Sequence, residues 1–277
     1  MNSAWSAAKG EHWRKHLAGF EAMLRPVDAP LLAARSLGEP QRIADIGCGS
    51  GATTLAIRAA THPESTVHGF ALSPALIDVA RGLSQGVRVG FEQVDVEAAA
   101  TPEELYDRLA SRFGVMFFAD PPAAFRRLRD WLAPGGRCAF AVWGSPADNA
   151  WAATVREVVA SVADLPPPVP DAPGPFRYAH IQRFVDLLRQ VGFAGVEATP
   201  WHGALPIGAE TGAAEAAHFA LSAFSTFGET LAAAGPRAQA EAHRALTSRF
   251  EANVGPDGFV RMDASVHLVV GAQRRFE

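Results

Sequence analysis

Lysine is nearly absent from this 277-residue chain, which carries only Lys9 and Lys15 and relies on arginine for the rest of its positive charge. Basic and acidic residues number 25 and 29, for a net charge of −4, and no basic block interrupts the sequence. That balance excludes the electrostatic footprint of a nucleic-acid binder. Cysteine is confined to Cys48 and Cys138, too few for a disulfide framework or a structural zinc site, so no metal is expected. No apolar run approaches the roughly 18 residues that cross a bilayer. The first sixteen residues are polar and lack the apolar centre of a signal peptide. These absences leave a cytoplasmic protein with a small-molecule substrate and no nucleic-acid or membrane partner; a homodimer is compatible with them.

What is present is a regular alternation. Trp13, Leu17, Phe20 and Leu24 recur at helical spacing over 11–25 before Pro26, and a second helix is expected over 28–37. Short apolar strands are expected at 42–46, 67–71, 87–94, 106–111 and 138–143, with helices after the first two and over 122–132. Pro134-Gly135-Gly136 reads as a turn. Ser73-Pro74 reads as an N-cap followed by the first helical position. Strand–helix alternation of this kind predicts a parallel sheet with helices on both faces and a ligand outside the strand C-termini. A proline-rich connector at 164–175 cannot be helical. A helix at 179–191 and strands near 195–200 and 265–272 follow, with an alanine-rich, mostly helical stretch at 203–261.

The densest signal is Asp45-Ile46-Gly47-Cys48-Gly49-Ser50-Gly51, set between a strand and a helix. Glycines there admit positive φ and close approach of a ligand to bare backbone, and the helix N-terminus offers free N–H groups. The stretch 47–52 also satisfies the dinucleotide pattern G-x-G-x-x-G/A. Asp45 separates the two readings. A carboxylate two residues before the first glycine suits an ammonium group and repels a pyrophosphate, which places an NAD-dependent oxidoreductase last.

With DIGCGSG at 45–51 stand VHGFALSPALIDVAR at 67–81, VGFEQVD at 89–95, SRFGVMFFADP at 111–121 and LAPGGRCAFAVW at 132–143. In these phrases the chain resembles the class I S-adenosylmethionine-dependent methyltransferases, notably their bacterial small-molecule branch, over about 12–200 and again at 264–272. The resemblance implies a Rossmann-like α/β fold: a seven-stranded, mostly parallel sheet with the last strand antiparallel, and a helical lid insertion. The expected divisions are an N-terminal helical cap (1–40), a cofactor-binding domain (41–202 and 263–277) and the lid (203–262). The implied cofactor is S-adenosyl-L-methionine. Gly47, Gly49 and Gly51 would line its methionine and ribose portion, with Asp45 near the amino group and Cys48 and Leu72 also among the cofactor-binding residues. Asp95 would accept a hydrogen bond from the adenine amino group with Val96 beside it, Ser111 and Arg112 would form the floor of the methionine site, and Phe113 would face the reacting centre. Two of these have plainer rival readings: Asp95 as a turn cap and Phe113 as an ordinary core residue.

One position departs from the family. Its second strand ordinarily ends in an acid that takes both ribose hydroxyls, and here that place is Ala71. Neither Glu64 nor Asp78 is placed to substitute. Three readings follow: methyl transfer to a small organic acceptor (aromatic compounds and secondary metabolites among the candidates), a repurposed fold catalysing a non-methylating rearrangement or cyclisation, and a non-catalytic binding protein. A general base is not assignable; His12 and His202 are weak candidates. His12 and His16, four apart on a helix, also read as a solvated face. Trp5, Trp13, Trp143 and Trp151 are expected as apolar walls of core or pocket.

Overall fold

A computed structural model describes residues 7–34 and 38–274. Trp5 and the ends of the expected cap and C-terminal segment fall outside the described residues. In chain order the elements are α1 (Ala7–Lys15), α2 (Leu17–Leu24), α3 (Asp28–Ala33), β1 (Arg42–Ile46), α4 (Ala52–Ala60), β2 (Thr66–Ala71), α5 (Pro74–Leu83) and β3 (Gly90–Gln93). Then come β4 (Tyr106–Arg112), α6 (Pro121–Trp131), β5 (Leu132–Trp143), α7 (Ala150–Val162), α8 (Ile181–Gln190), β6 (Ala194–Pro206), α9 (Ala213–Ala223), α10 (Ser225–Ala234), α11 (Pro236–Glu251) and β7 (Arg261–Ala272).

The strands form one seven-stranded sheet in the order β3-β2-β1-β4-β5-β7-β6. β1 to β5 run parallel, and β7 runs antiparallel to both β5 and β6. This is the Rossmann-like order that the resemblance implies, and it places the ends Ile46, Ala71 and Arg112 along one edge. The strand order reverses between β1 and β4, so a crevice opens there. The core explains the pattern of apolar residues: Ile43, Ala44, Leu109, Ala110 and Phe140 are wholly buried in the sheet. α6 lays Phe125, Leu128 and Trp131 against it, and Ser73 caps α5 by accepting from the Leu76 N–H (3.4 Å).

Four local expectations differ from the structure. The helix over 11–25 is broken at His16, whose ψ of 18° ends the first run. α1 turns onto α5 while the apolar α2 packs against β6, and one straight helix does not reach both. The strand expected at 87–94 is only Gly90–Gln93, with Val87 exposed outside the sheet. Pro134-Gly135-Gly136 is not a turn between elements but an irregularity within β5: the ladder steps from Tyr106↔Leu132 to Arg108↔Arg137, five residues against two. β6 runs on to Pro206 because β7 supplies a partner at every step from Glu197↔Val270 to Pro206↔Arg261. Residues 203–206 and 261–262 therefore belong to the sheet, and α9 to α11 stand between its last two strands.

Candidate functional site

The glycine stretch hangs from the end of β1 and is tied to β2, since Gly47 N–H and Cys48 N–H both donate to the Phe70 carbonyl (2.8 and 3.0 Å). Gly47 has φ of 71°, and a methyl group on it would lie 2.8 Å from the Gly114 Cα. Only glycine meets both the backbone angle and the close approach. Opposite it, Phe113 holds φ of 61°, one of two non-glycine residues among those described with positive φ. A bulky side chain in that region costs of order 1–3 kcal/mol, and such strain clusters at functional sites. The conformation is held by the Phe113 N–H on the Ala141 carbonyl (3.0 Å) and by Ser111, whose hydroxyl donates to the Ile46 carbonyl (2.7 Å) and accepts from the Gly114 N–H (3.1 Å). The Phe113 ring stacks on Trp143 at 4.3 Å.

Between these two loops lies a crevice outside the C-terminal strand ends. Of the residues expected from sequence, it is walled by Asp45, Gly47, Cys48, Gly49, Leu72, Asp95, Val96, Arg112 and Phe113. Gly51 and Ser111 do not reach this wall. Gly51 is the N-cap of α4 at φ of 85° and abuts the Phe91 ring, so it shapes the turn; Ser111 is wholly buried and clamps β4 to β1. His12 and His202 also lie off the wall. His12 donates through Nε2 to the Ala223 carbonyl (3.0 Å), and His202 is exposed on the edge strand β6. Asp95 lines the crevice and caps its turn by accepting the Glu97 N–H at 3.0 Å.

Asp45 is 1% exposed, and one of its oxygens accepts the Thr54 hydroxyl (2.7 Å). Gly49 provides a test of room for a ligand. It faces the crevice, yet a methyl group built on it meets no protein atom within 4 Å. Open space beside bare backbone and next to a buried carboxylate fits the amino-acid and sugar portion of S-adenosylmethionine. Ala71 also lines the crevice, and its neighbours are apolar: Cys48, Ile77, Ala80 and Phe91. Burial, then the nearby Asp45, push the Cys48 thiol well above its usual range, so it stays a neutral thiol at neutral pH.

A charged network that sequence inspection missed braces the same wall. Arg112 donates to Glu21 (2.6 Å) and Asp28 (3.2 Å). Glu21 also accepts the Ser50 hydroxyl (2.7 Å), and Asp28 the Thr53 hydroxyl (3.0 Å). The network joins α2, the first residue of α3, the glycine loop and β4. Burial raises the Asp28 pKa while Arg112 works against that rise. Burial also works against the Arg112 charge, but Glu21 and Asp28 outweigh it and raise its pKa. Three carboxylates, Glu21, Asp28 and Asp45, thus surround one guanidinium, and the wall favours a cation. The only sign of this in the sequence is Glu21 within an otherwise apolar helix face. Trp13 lines the crevice too, stacked on Phe20 at 3.8 Å.

Comparison with known proteins agrees with this geometry. Residues 43–136 match the family described as a methyltransferase domain. Trans-aconitate 2-methyltransferase of Methylobacterium nodulans is 35% identical over 132 residues, which cover 48% of this chain and 47% of that protein. Aklanonic acid methyltransferase DauC of Streptomyces sp. strain C5 is 32% identical over 103 residues, 36% of this chain and 47% of that protein. The chain spans about half the length of the curated relatives it matches. Among solved structures, YcgJ of Bacillus subtilis superposes with a TM-score of 0.58 at 15% identity, covering 91% of this chain and all of that one. The [4+2]-cyclase SpnF superposes at 0.53 with 16% identity, covering 91% and 82%. Residues 43–136 thus match a methyltransferase domain, and the strand order and glycine crevice around them are those of a Rossmann-like methyltransferase fold.

Proposed function

We propose that the protein transfers the methyl group of S-adenosylmethionine to a small organic acceptor. The observation that carries this is Asp45, a buried carboxylate at the tip of β1, beside a glycine with vacant space over its backbone. When bound, the cofactor supplies a sulfonium-activated methyl group for in-line displacement. The chain's residues would do the rest. Asp45 would pair with the cationic amino group, Gly47 to Gly49 would let the backbone approach the sugar, and Asp95 would accept from the adenine amino group. Phe113 and Trp13 would exclude water from the reacting end. The acidic wall around Arg112 would favour positive charge there. α9 to α11, joined to the sheet by β6 and β7, would act as the lid and set acceptor choice. The relatives named for aklanonic acid and trans-aconitate support a small acceptor without naming this one.

Calorimetry of the intact chain with S-adenosylmethionine tests the reading. Micromolar binding that weakens in Asp45→Asn supports it; no saturable binding at millimolar ligand refutes it. Ala71 favours a second reading, a methyltransferase-like fold that binds the cofactor without spending its methyl group. Release of S-adenosylhomocysteine in the presence of an acceptor separates the two, since the second reading yields none.

A further inference from the structure

The opposite edge of the sheet carries a feature that the crevice does not explain. Near the start of β4 and after the irregularity in β5, Arg108 and Arg137 are register partners on adjacent parallel strands. Such partners leave the sheet on the same face at a strand spacing of about 4.8 Å, close enough for the Arg137 charge to act on Arg108. The chain leaving β7 is tied to the same place, because the Gln273 N–H donates to the Gly136 carbonyl (2.8 Å). This brings Arg274 to the rim of an open depression of about 770 Å³ that Arg108, Arg137, Gly135 and Gly136 also line.

The charges there do not balance. Asp107 is the one acid lining the depression, and its Oδ2 already accepts the Arg42 N–H (2.8 Å). Arg108 uses Nη1 on the Asp107 backbone carbonyl (2.8 Å), while its Nε is buried with no partner. Among the described residues, Arg108, Arg137 and Arg274 form no ion pair, whereas Arg42, Arg112, Arg129 and Arg261 do. Burial first, then the neighbouring Arg137, push the Arg108 pKa down. Paired like charges in a concavity, with donors to spare, match the fork geometry by which arginine takes oxyanions.

We propose that this depression is a second binding site, for a phosphoryl dianion held between Arg108 and Arg137 with Arg274 at the rim. It takes inorganic phosphate or the phosphate end of a small monoester. Arg108 lies four residue steps along β4 from the crevice residue Arg112, about 13 Å of strand, so the site is independent of the methyl-transfer reading. The test is calorimetry of the intact chain with inorganic phosphate at low ionic strength, repeated with glycerol 3-phosphate. One saturable site is expected, with the tighter of the two probes identifying free ion or ester. Arg108→Gln and Arg137→Gln should each weaken it by about tenfold or more. Arg183→Gln, an exposed arginine on α8, should leave it unchanged. Arg137 is exposed, so that variant should melt as the parent does without phosphate and keep its affinity for S-adenosylmethionine. No saturation by either probe, or parent-like phosphate binding in both variants, overturns the proposal.

Discussion

Replacing Arg112 by methionine keeps a long apolar stem but removes the one cation in the network behind the crevice. It leaves Glu21 and Asp28, with side chains only 19% and 14% exposed, without their ion-pair partner and with Arg25 as a weaker remaining positive charge on Asp28. Breaking a buried pair from one side costs about 3–5 kcal/mol, a large share of the roughly 5–15 kcal/mol that a domain has in total. The loss should also depend on pH, and its sign follows from Asp28. Burial already raises that pKa and Arg112 restrains it, so the variant's folded carboxyl rises further above its unfolded value of about 4. The folded variant therefore binds its proton more tightly than the unfolded chain. Its deficit is greatest at neutral pH and shrinks as pH falls through the raised folded value. Urea unfolding followed by circular dichroism at pH 7 and pH 5 reads both effects. Adding Glu21→Gln and Asp28→Asn to Arg112→Met should recover most of the lost stability, because the two carboxylates that ion-pair with Arg112 are then neutral. A single-variant loss below about 1 kcal/mol, the size of an exposed ion pair, would refute the reasoning; so would a deficit equal at the two pH values.

Other expectations concern the crevice itself. Ala71→Asp supplies the acid that the fold ordinarily places at the end of β2; a charged hydrogen bond is worth about 1.5–3 kcal/mol, so calorimetry should show S-adenosylmethionine binding at least about tenfold tighter. Equal affinity would mean that the ribose is anchored elsewhere. Phe113→Gly and Phe113→Ala both remove the stack on Trp143, but at φ of 61° the glycine variant should be the more stable by about 1 kcal/mol. The reverse order in chemical denaturation would remove the case for strain. Gly47→Ala should cost more than about 1 kcal/mol, since its methyl group meets backbone at 2.8 Å at a positive φ. Cys48, buried and with its pKa raised, should resist iodoacetamide in the folded protein at pH 8 and react on unfolding; rapid native labelling would contradict its placement.

The sheet's first half was legible because its signals are local. Arg42 to Ile46, the glycines after them, and Ser73-Pro74 each act on their immediate neighbours, and the structure puts β1, α4 and α5 where those residues direct. Signals that depend on distant partners were not legible. Arg112 meets Glu21 across 91 positions, and nothing in either neighbourhood announces the other. β6 reaches Pro206 only because β7 lies alongside, which no periodicity within 203–206 encodes. Pro134-Gly135-Gly136 has turn chemistry, but neighbouring strands absorb it as extra length. The site followed the same rule: Asp45 and Gly47 to Gly49 were visible from their spacing. Glu21, which comes to the crevice on a separate helix, was not. Ser111 and Gly51 carried the right motif positions, yet their side of the loop faces the protein.

The β6–β7 pairing bears on how such a protein diversifies. Pro206 and Arg261 are ladder partners, so the 54 intervening residues leave and rejoin the scaffold at one doorway. A segment with abutting ends changes length at an entropic cost that grows only logarithmically, about 0.6 kcal/mol per doubling. Whole helices in that stretch are thus exchangeable without re-registering the strands beneath, and a lineage can remodel that segment while the rest of the molecule keeps its geometry.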